Sequence, residues 1–216
     1  SPCATPGTPA RGPATTTSLQ GLSIFKTLLM GSVFVGLLAF TIVRRHTRVE
    51  EESGRLELVG GTAVGRAAPL SGAVLEGVVL AVALGALVAL ANVAGGLPVV
   101  GSIALGASWT GIGLVTVGLT AVACQLSASA RTCAAIAAAA IGVLYVLRAV
   151  GDASVSWLSW LSPFGWNTQL RAWSGTRWWI LLLYVATATV LVVVASTLRA
   201  RRDLGSGMLA ERPGPA

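Results

Sequence analysis

The side chains that could perform chemistry are few in this sequence. It has one histidine, His46, which lies in an arginine-rich stretch, and the three cysteines Cys3, Cys124 and Cys133. A two-histidine zinc motif is therefore impossible, and a nucleophilic serine would lack a histidine base beside it. Neither a G-x-S-x-G motif nor a P-loop motif occurs. We expect no catalytic residues, no bound metal and no cofactor. The cysteines Cys124 and Cys133 lie in apolar surroundings, and we expect them to remain thiols.

A cluster of charges of both signs stands out between two apolar runs. Its residues at i and i+4 can form ion pairs on a helix, which are worth a few tenths of a kcal/mol each. One interpretation is a solvated helical extension, and the other is a docking element for a cytoplasmic partner. The candidate docking residues are Arg48, Glu50, Glu51, Glu52, Gly54, Arg55 and Glu57.

One carboxylate, Glu76, lies within an apolar run, seven residues after Pro69. A carboxylate inside the membrane is a functional candidate because its burial is costly. The alternative is a structural role, in which Glu76 faces the helix bundle and pairs there or stays near the membrane interface.

Aromatic residues concentrate between Asp152 and Arg177. Because tryptophan favours the membrane–water interface, we predict an amphipathic element on or in the outer leaflet that does not cross the membrane. A solvent-exposed loop is the alternative. Trp157, Trp160 and Phe164 have the spacing of one helical face, which Pro163 is expected to break. The predicted interfacial residues are Trp157, Trp160, Pro163, Phe164 and Trp166.

The elements that carry these residues are membrane helices. Only 11% of the 216 residues are charged, and residues 77–130 contain no charge at all. Soluble domains carry about 25% charged residues, and a bilayer span needs about 20 apolar residues. Runs of this length without alternation exclude barrel strands. The predicted spans are residues 22–43, 69–93, 99–126, 133–150 and 178–198.

We therefore predict an all-α polytopic bundle of about five spans. Small residues in the third span, among them Gly106, Gly111 and Gly118, indicate that this helix is packed among its neighbours. The net charge of +7 comes from arginines that flank the apolar runs, which argues against nucleic-acid binding. Ten basic residues against five place the N-terminus outside and the C-terminus in the cytoplasm.

The domain organisation follows from these spans. Residues 1–20 form a disordered exterior segment rich in Pro and Thr, and residues 21–198 form the transmembrane domain. Within that domain, residues 44–68 are a cytoplasmic loop, and residues 152–177 are the interfacial element, hereafter the outer segment. Residues 199–216 form a cytoplasmic tail.

Several strings of the sequence resemble one protein family. The string RHTRVEEESGRLELV at residues 45–59 is similar to the loop of actinobacterial type-2 ABC exporter permeases of the polyketide (tetronasin-type) antibiotic group. Further similar strings are AVGRAAPL at 63–70, QLSASAR at 125–131, YVLRAVGD at 145–152, LSPFGW at 161–166, RRDLGSG at 201–207 and RPGP at 212–215.

The resemblance implies half of a permease, lacking its first helix, in a bacterial plasma membrane. It implies a separate cytoplasmic ATPase, expected as a dimer, a second permease half, and a small amphipathic substrate. The coupling helix would then be residues 48–59, and the outer segment would be a re-entrant element. Two alternatives stay open: a non-transport membrane assembly or regulatory subunit, and a membrane enzyme.

The predicted topology can be tested by cysteine accessibility in intact cells. Single cysteines placed at Arg55 and Arg201 are expected to be protected from membrane-impermeant reagents, because both positions lie on the more basic side. A cysteine at Arg171 serves as the control that should react. Labelling of Arg55 or Arg201 from outside would reverse the orientation.

Overall fold

The computed structural model describes residues 32–45, 68–127, 129–153, 157–173 and 175–201. These residues form helices and turns and contain no strand. The helices are α1 (Ser32–Arg44), α2 (Ala68–Ala94), α3 (Val99–Leu126), α4 (Ala130–Ala153), a 3-10 helix (Leu158–Leu161), α5 (Pro163–Gln169) and α6 (Trp179–Ala200). The chain is an all-α polytopic bundle, as the sequence predicts.

Four of these helices are long and apolar enough to cross a membrane: α2, α3, α4 and α6. Their helix bounds lie within three residues of the predicted spans. The first predicted span, residues 22–43, lies partly outside the described residues, and its described part is the 13-residue helix α1. The segment at residues 1–20 and most of the tail at residues 199–216, whose structure and location stay predictions, lie outside the described residues.

A tight turn joins α2 to α3. Gly96 has a φ of 82°, a left-handed conformation that glycine adopts without strain. The N–H of Leu97 donates to the C=O of Asn92 at 3.0 Å, and the N–H of Gly95 donates to the C=O of Ala91 at 3.0 Å. Pro98 then precedes the first turn of α3. These bonds close the end of α2 and reverse the chain.

The helix α3 is the centre of the bundle, and α1, α2, α4, α5 and α6 all pack against it. In its most apolar 18-residue window, 67% of the residues are buried, compared with 17–22% in the other three long helices. Small residues produce this burial because they let helix backbones approach closely. The prediction that the third span is buried among its neighbours is confirmed.

The contact between α2 and α3 shows how close this packing is. A Cβ atom added at Gly106 would collide with the backbone of Gly85 and lie 2.8 Å from Cβ of Ala89. A Cβ added at Gly113 would lie 2.6 Å from Cβ of Ala81. Because Ala81, Gly85 and Ala89 follow at intervals of four, they form a stripe of small residues along α2.

The opposite face of α3 receives α6 in a similar way. The ring of Tyr184 covers Gly111, and a Cβ added at Gly118 would lie 2.8 Å from Cβ of Leu191. Many of the exposed side chains of α2, α4 and α6 are large and apolar, as suits a lipid-facing surface. Examples are Leu75, Val79, Leu90, Val143, Val146, Leu182 and Val190.

The expectation that Cys124 and Cys133 remain thiols is wrong for this structure, which joins them in a disulfide. The reason is the short turn between α3 and α4, which places the last turn of one helix beside the first turn of the other. The two Cα atoms lie 5.0 Å apart, within the range that a disulfide bridges. Both side chains are fully buried, together with Ala123 and Ala137.

The glycine packing predicts a position-specific effect on stability. Gly106→Ala should lower the melting temperature of the purified chain, because over-packing of this kind costs about 1–3 kcal/mol. The control is Gly142→Ala on α4, where an added Cβ meets nothing within 4 Å. That change should be neutral or stabilising, since alanine favours a helix over glycine by up to about 1 kcal/mol. Equal melting temperatures for the two variants would contradict this packing.

Candidate functional site

The predicted docking residues between Arg48 and Glu57 lie outside the described residues, so their role stays a prediction. The structure does describe the two helix ends that flank this loop. Val43 at the end of α1 and Leu70 at the start of α2 pack in one buried cluster with Val117, Ala121 and Ala195. Both ends of the loop are therefore attached to α3 and α6 at the same end of the bundle.

The intramembrane candidate Glu76 lies in the third turn of α2, next to Gly77. Gly77 faces Val117 of α3, whereas the side chain of Glu76 is exposed on the surface of the described bundle. Ala73, three residues before Glu76, and Gly77, the residue after it, are both buried, so Glu76 lies at the edge of the helix face that packs against the bundle. A functional role for Glu76 stays a prediction.

The outer segment gives the most informative geometry in the described chain. Its helical part is a four-residue 3-10 helix followed by the seven-residue α5, which is far shorter than a membrane span. Ser162 caps α5 through a hydrogen bond from the N–H of Phe164, and Pro163 begins it, where a missing N–H costs nothing. The predicted break at Pro163 is thus present.

The predicted aromatic residues of this segment separate into two environments. Phe164 and Trp166 are buried within the bundle, where the ring of Trp166 packs edge-on against Tyr184 at 5.2 Å. Trp157 is 62% exposed, and Trp160 stacks on Trp179 at 5.8 Å. Trp157, Trp160 and Phe164 therefore do not share one continuous helical face, because the 3-10 helix ends at Leu161, before the proline.

Polar contacts from α4 hold the first half of the outer segment. Ser162 Oγ donates to the C=O of Leu144 at 2.7 Å, and Ser159 Oγ donates to Asp152 Oδ1 at 3.1 Å. The other oxygen of Asp152 pairs with the buried Arg148 at 3.3 Å. The i,i+4 ion pair of Arg148 with Asp152 therefore also contacts the outer segment.

Two further contacts come from α6 and α3. The hydroxyl of Tyr184 donates to the C=O of Pro163 at 2.8 Å. Ser108 Oγ donates to Asn167 Oδ1 at 2.5 Å, and both side chains are buried. Three long helices thus each hold the outer segment by at least one hydrogen bond, so a displacement of any of them acts on it.

The contact with α3 leaves buried hydrogen-bond donors without acceptors. Within the described structure, Nδ2 of Asn167 makes no hydrogen bond although it is buried, and the same holds for Nε1 of Trp173 beside Gly101. A buried donor without an acceptor costs about 1–3 kcal/mol. The side-chain amide of Asn167 thus uses only part of its hydrogen-bonding capacity in the contact with α3.

Sequence reasoning missed Ser108, Asn167, Ser162 and Tyr184. Serine and tyrosine in apolar runs are common, and nothing in their spacing reveals a partner on another helix. The one available signal was Asn167 itself, a polar residue directly after the aromatic string at 161–166. A buried amide requires partners, which would have singled it out.

No group of three or more His, Cys, Asp or Glu side chains that could hold a metal ion occurs in the described ranges. What those ranges do contain is a helix bundle with an inserted short helix at one end. The chain is thus a membrane protein of the polytopic helical class.

The comparisons with known proteins agree with this class. The chain is 46% identical over 203 residues to the multidrug efflux system permease protein Rv1217c of Mycobacterium tuberculosis (strain ATCC 25618 / H37Rv). The match covers 94% of this chain and 37% of that relative, so the chain spans little more than a third of the relative's length. No family model matches.

The contacts of the outer segment predict the effect of removing one hydroxyl. Tyr184→Phe leaves the C=O of Pro163 without its donor, so amide hydrogen exchange across Pro163–Gln169 should accelerate about fivefold, equivalent to about 1 kcal/mol. Thr189→Val is the matched control, because Thr189 bonds only to its own helix and is exposed. The interpretation fails if both variants exchange like the unmodified chain.

Proposed function

We propose that this chain is the membrane-embedded part of a permease from an ATP-driven exporter of amphipathic compounds. The observation that carries the proposal is the 46% identity to a multidrug efflux permease across nearly the whole of this chain. The coarse architecture supports it, since four membrane-length helices suit a transport pathway.

The proposed mechanism places force transmission on α3 and its neighbours. A cytoplasmic ATPase would bind the loop at residues 48–59, whose flanking helix ends pack on α3 and α6 through Val43 and Leu70. The far ends of α3 and α6 contact the outer segment through Ser108 and Tyr184. A shift of α3 relative to α6 would therefore separate Asn167 from Ser108, where the Nδ2 donor of Asn167 already has no acceptor.

The finer parts of the proposal come from the family resemblance. They are an ATPase dimer, a second permease half, antibiotics as substrates and a bacterial plasma membrane with the C-terminus in the cytoplasm. The exposed apolar side chains on α2, α4 and α6 agree with a location of the chain in a membrane.

The coupling role of the loop can be tested by charge reversal in the full-length permease with its ATPase. Changing Glu50, Glu51 and Glu52 together to Lys should reduce ATPase retention and drug efflux by about tenfold or more. The expected size follows from the 2–5 kcal/mol that loss of a buried charge partner can cost. The measurements are co-purification of the ATPase and efflux of a fluorescent drug.

The matched control reverses Asp203 and Glu211, which lie in the predicted cytoplasmic tail. This control should retain both activities. Normal retention and efflux in the triple variant, with normal insertion, would exclude the loop as the coupling element. Failure of the unmodified permease to bind any ATPase would instead favour an assembly or regulatory subunit.

A further inference from the structure

Two arginines stand together where the outer segment meets α6. The backbone N–H of Arg177 donates to the C=O of Leu170 at 3.0 Å, which brings Arg177 back beside Arg171. Arg171 is exposed and has a φ of 51°, so the chain turns sharply there. This bond closes the loop and places two positive charges where the two ends of the loop meet.

Neither arginine has an acidic partner among the described residues. Those residues include only two carboxylates, Glu76 and Asp152. Asp152 is engaged by Arg148 and Ser159. Glu76 lies near the start of α2, about 27 Å along the helix from the end that turns into α3 at this side of the bundle. The two guanidinium groups are thus available to bind an anion from outside this part of the chain.

An apolar stripe continues from the arginines down α6. Trp178, Leu182 and Val185 recur at intervals of four and three residues, so they share one face of the helix. They are 46%, 70% and 53% exposed. The stripe lies on a helix of membrane length, and tryptophans mark the depth of the lipid headgroups.

We propose that Arg171, Arg177 and the stripe Trp178–Leu182–Val185 form a binding site for one anionic phospholipid. The headgroup phosphate accepts hydrogen bonds from the two guanidinium groups, for which arginine's planar fork is well suited. An acyl chain lies along Leu182 and Val185. The stripe favours a lipid over a free phosphate, which would use the arginines alone. The site does not depend on the proposed export function.

The chosen experiment measures lipid binding by native mass spectrometry of the full chain in neutral detergent. The probes are phosphatidylglycerol, phosphatidylcholine and inorganic phosphate. R171Q together with R177Q should weaken phosphatidylglycerol binding at least about tenfold, as expected for loss of two charge-assisted contacts. Phosphatidylcholine binding should not change. L182Q should weaken phosphatidylglycerol binding and leave inorganic phosphate binding unaffected.

The matched control is R131Q together with R201Q, which removes two exposed arginines at the opposite end of the bundle. It should change phosphatidylglycerol binding less than twofold. R171K with R177K keeps the charge and should retain part of the binding, which covers the case in which the glutamine variant does not fold. An equal loss in the control, equal binding of both lipids, or full competition by inorganic phosphate would each overturn the proposal.

Discussion

The close approach of α3 to its neighbours is the interaction on which the rest of the structure depends. In a bilayer, the association of helices gains little from the hydrophobic effect, because lipid tails are as apolar as leucine. Packing contacts must replace it, and glycine, serine and threonine allow the closest ones. Accordingly the most apolar 18-residue window of α3 has a lower mean hydropathy than those of the other three long helices, 1.5 against 2.1–2.5, and yet is the most buried. The helices with the bulkiest apolar surfaces lie outside it and face lipid.

Because α3 lies at the centre of the bundle, its two ends contact features that are distant from one another in the sequence. At one end it packs with the helix termini that flank the charged loop, through Val117 and Ala121. At the other end Ser108 holds the outer segment at Asn167. The hydroxyl contacts of that segment lie in a region of low dielectric, where hydrogen bonds are strong and unpaired donors are costly. The unpaired Nδ2 of Asn167 therefore distinguishes the α3 contact from those of α4 and α6.

The sequence was sufficient for features that depend on local chemistry or on length. Apolar runs predicted the long helices, and the glycines of α3 predicted its burial. It was not sufficient where the outcome depends on which helices become neighbours. The contacts of Tyr184 with Pro163 and of Ser108 with Asn167 join residues 21 and 59 positions apart. The pairing of Cys124 with Cys133 similarly required the geometry of the turn between α3 and α4.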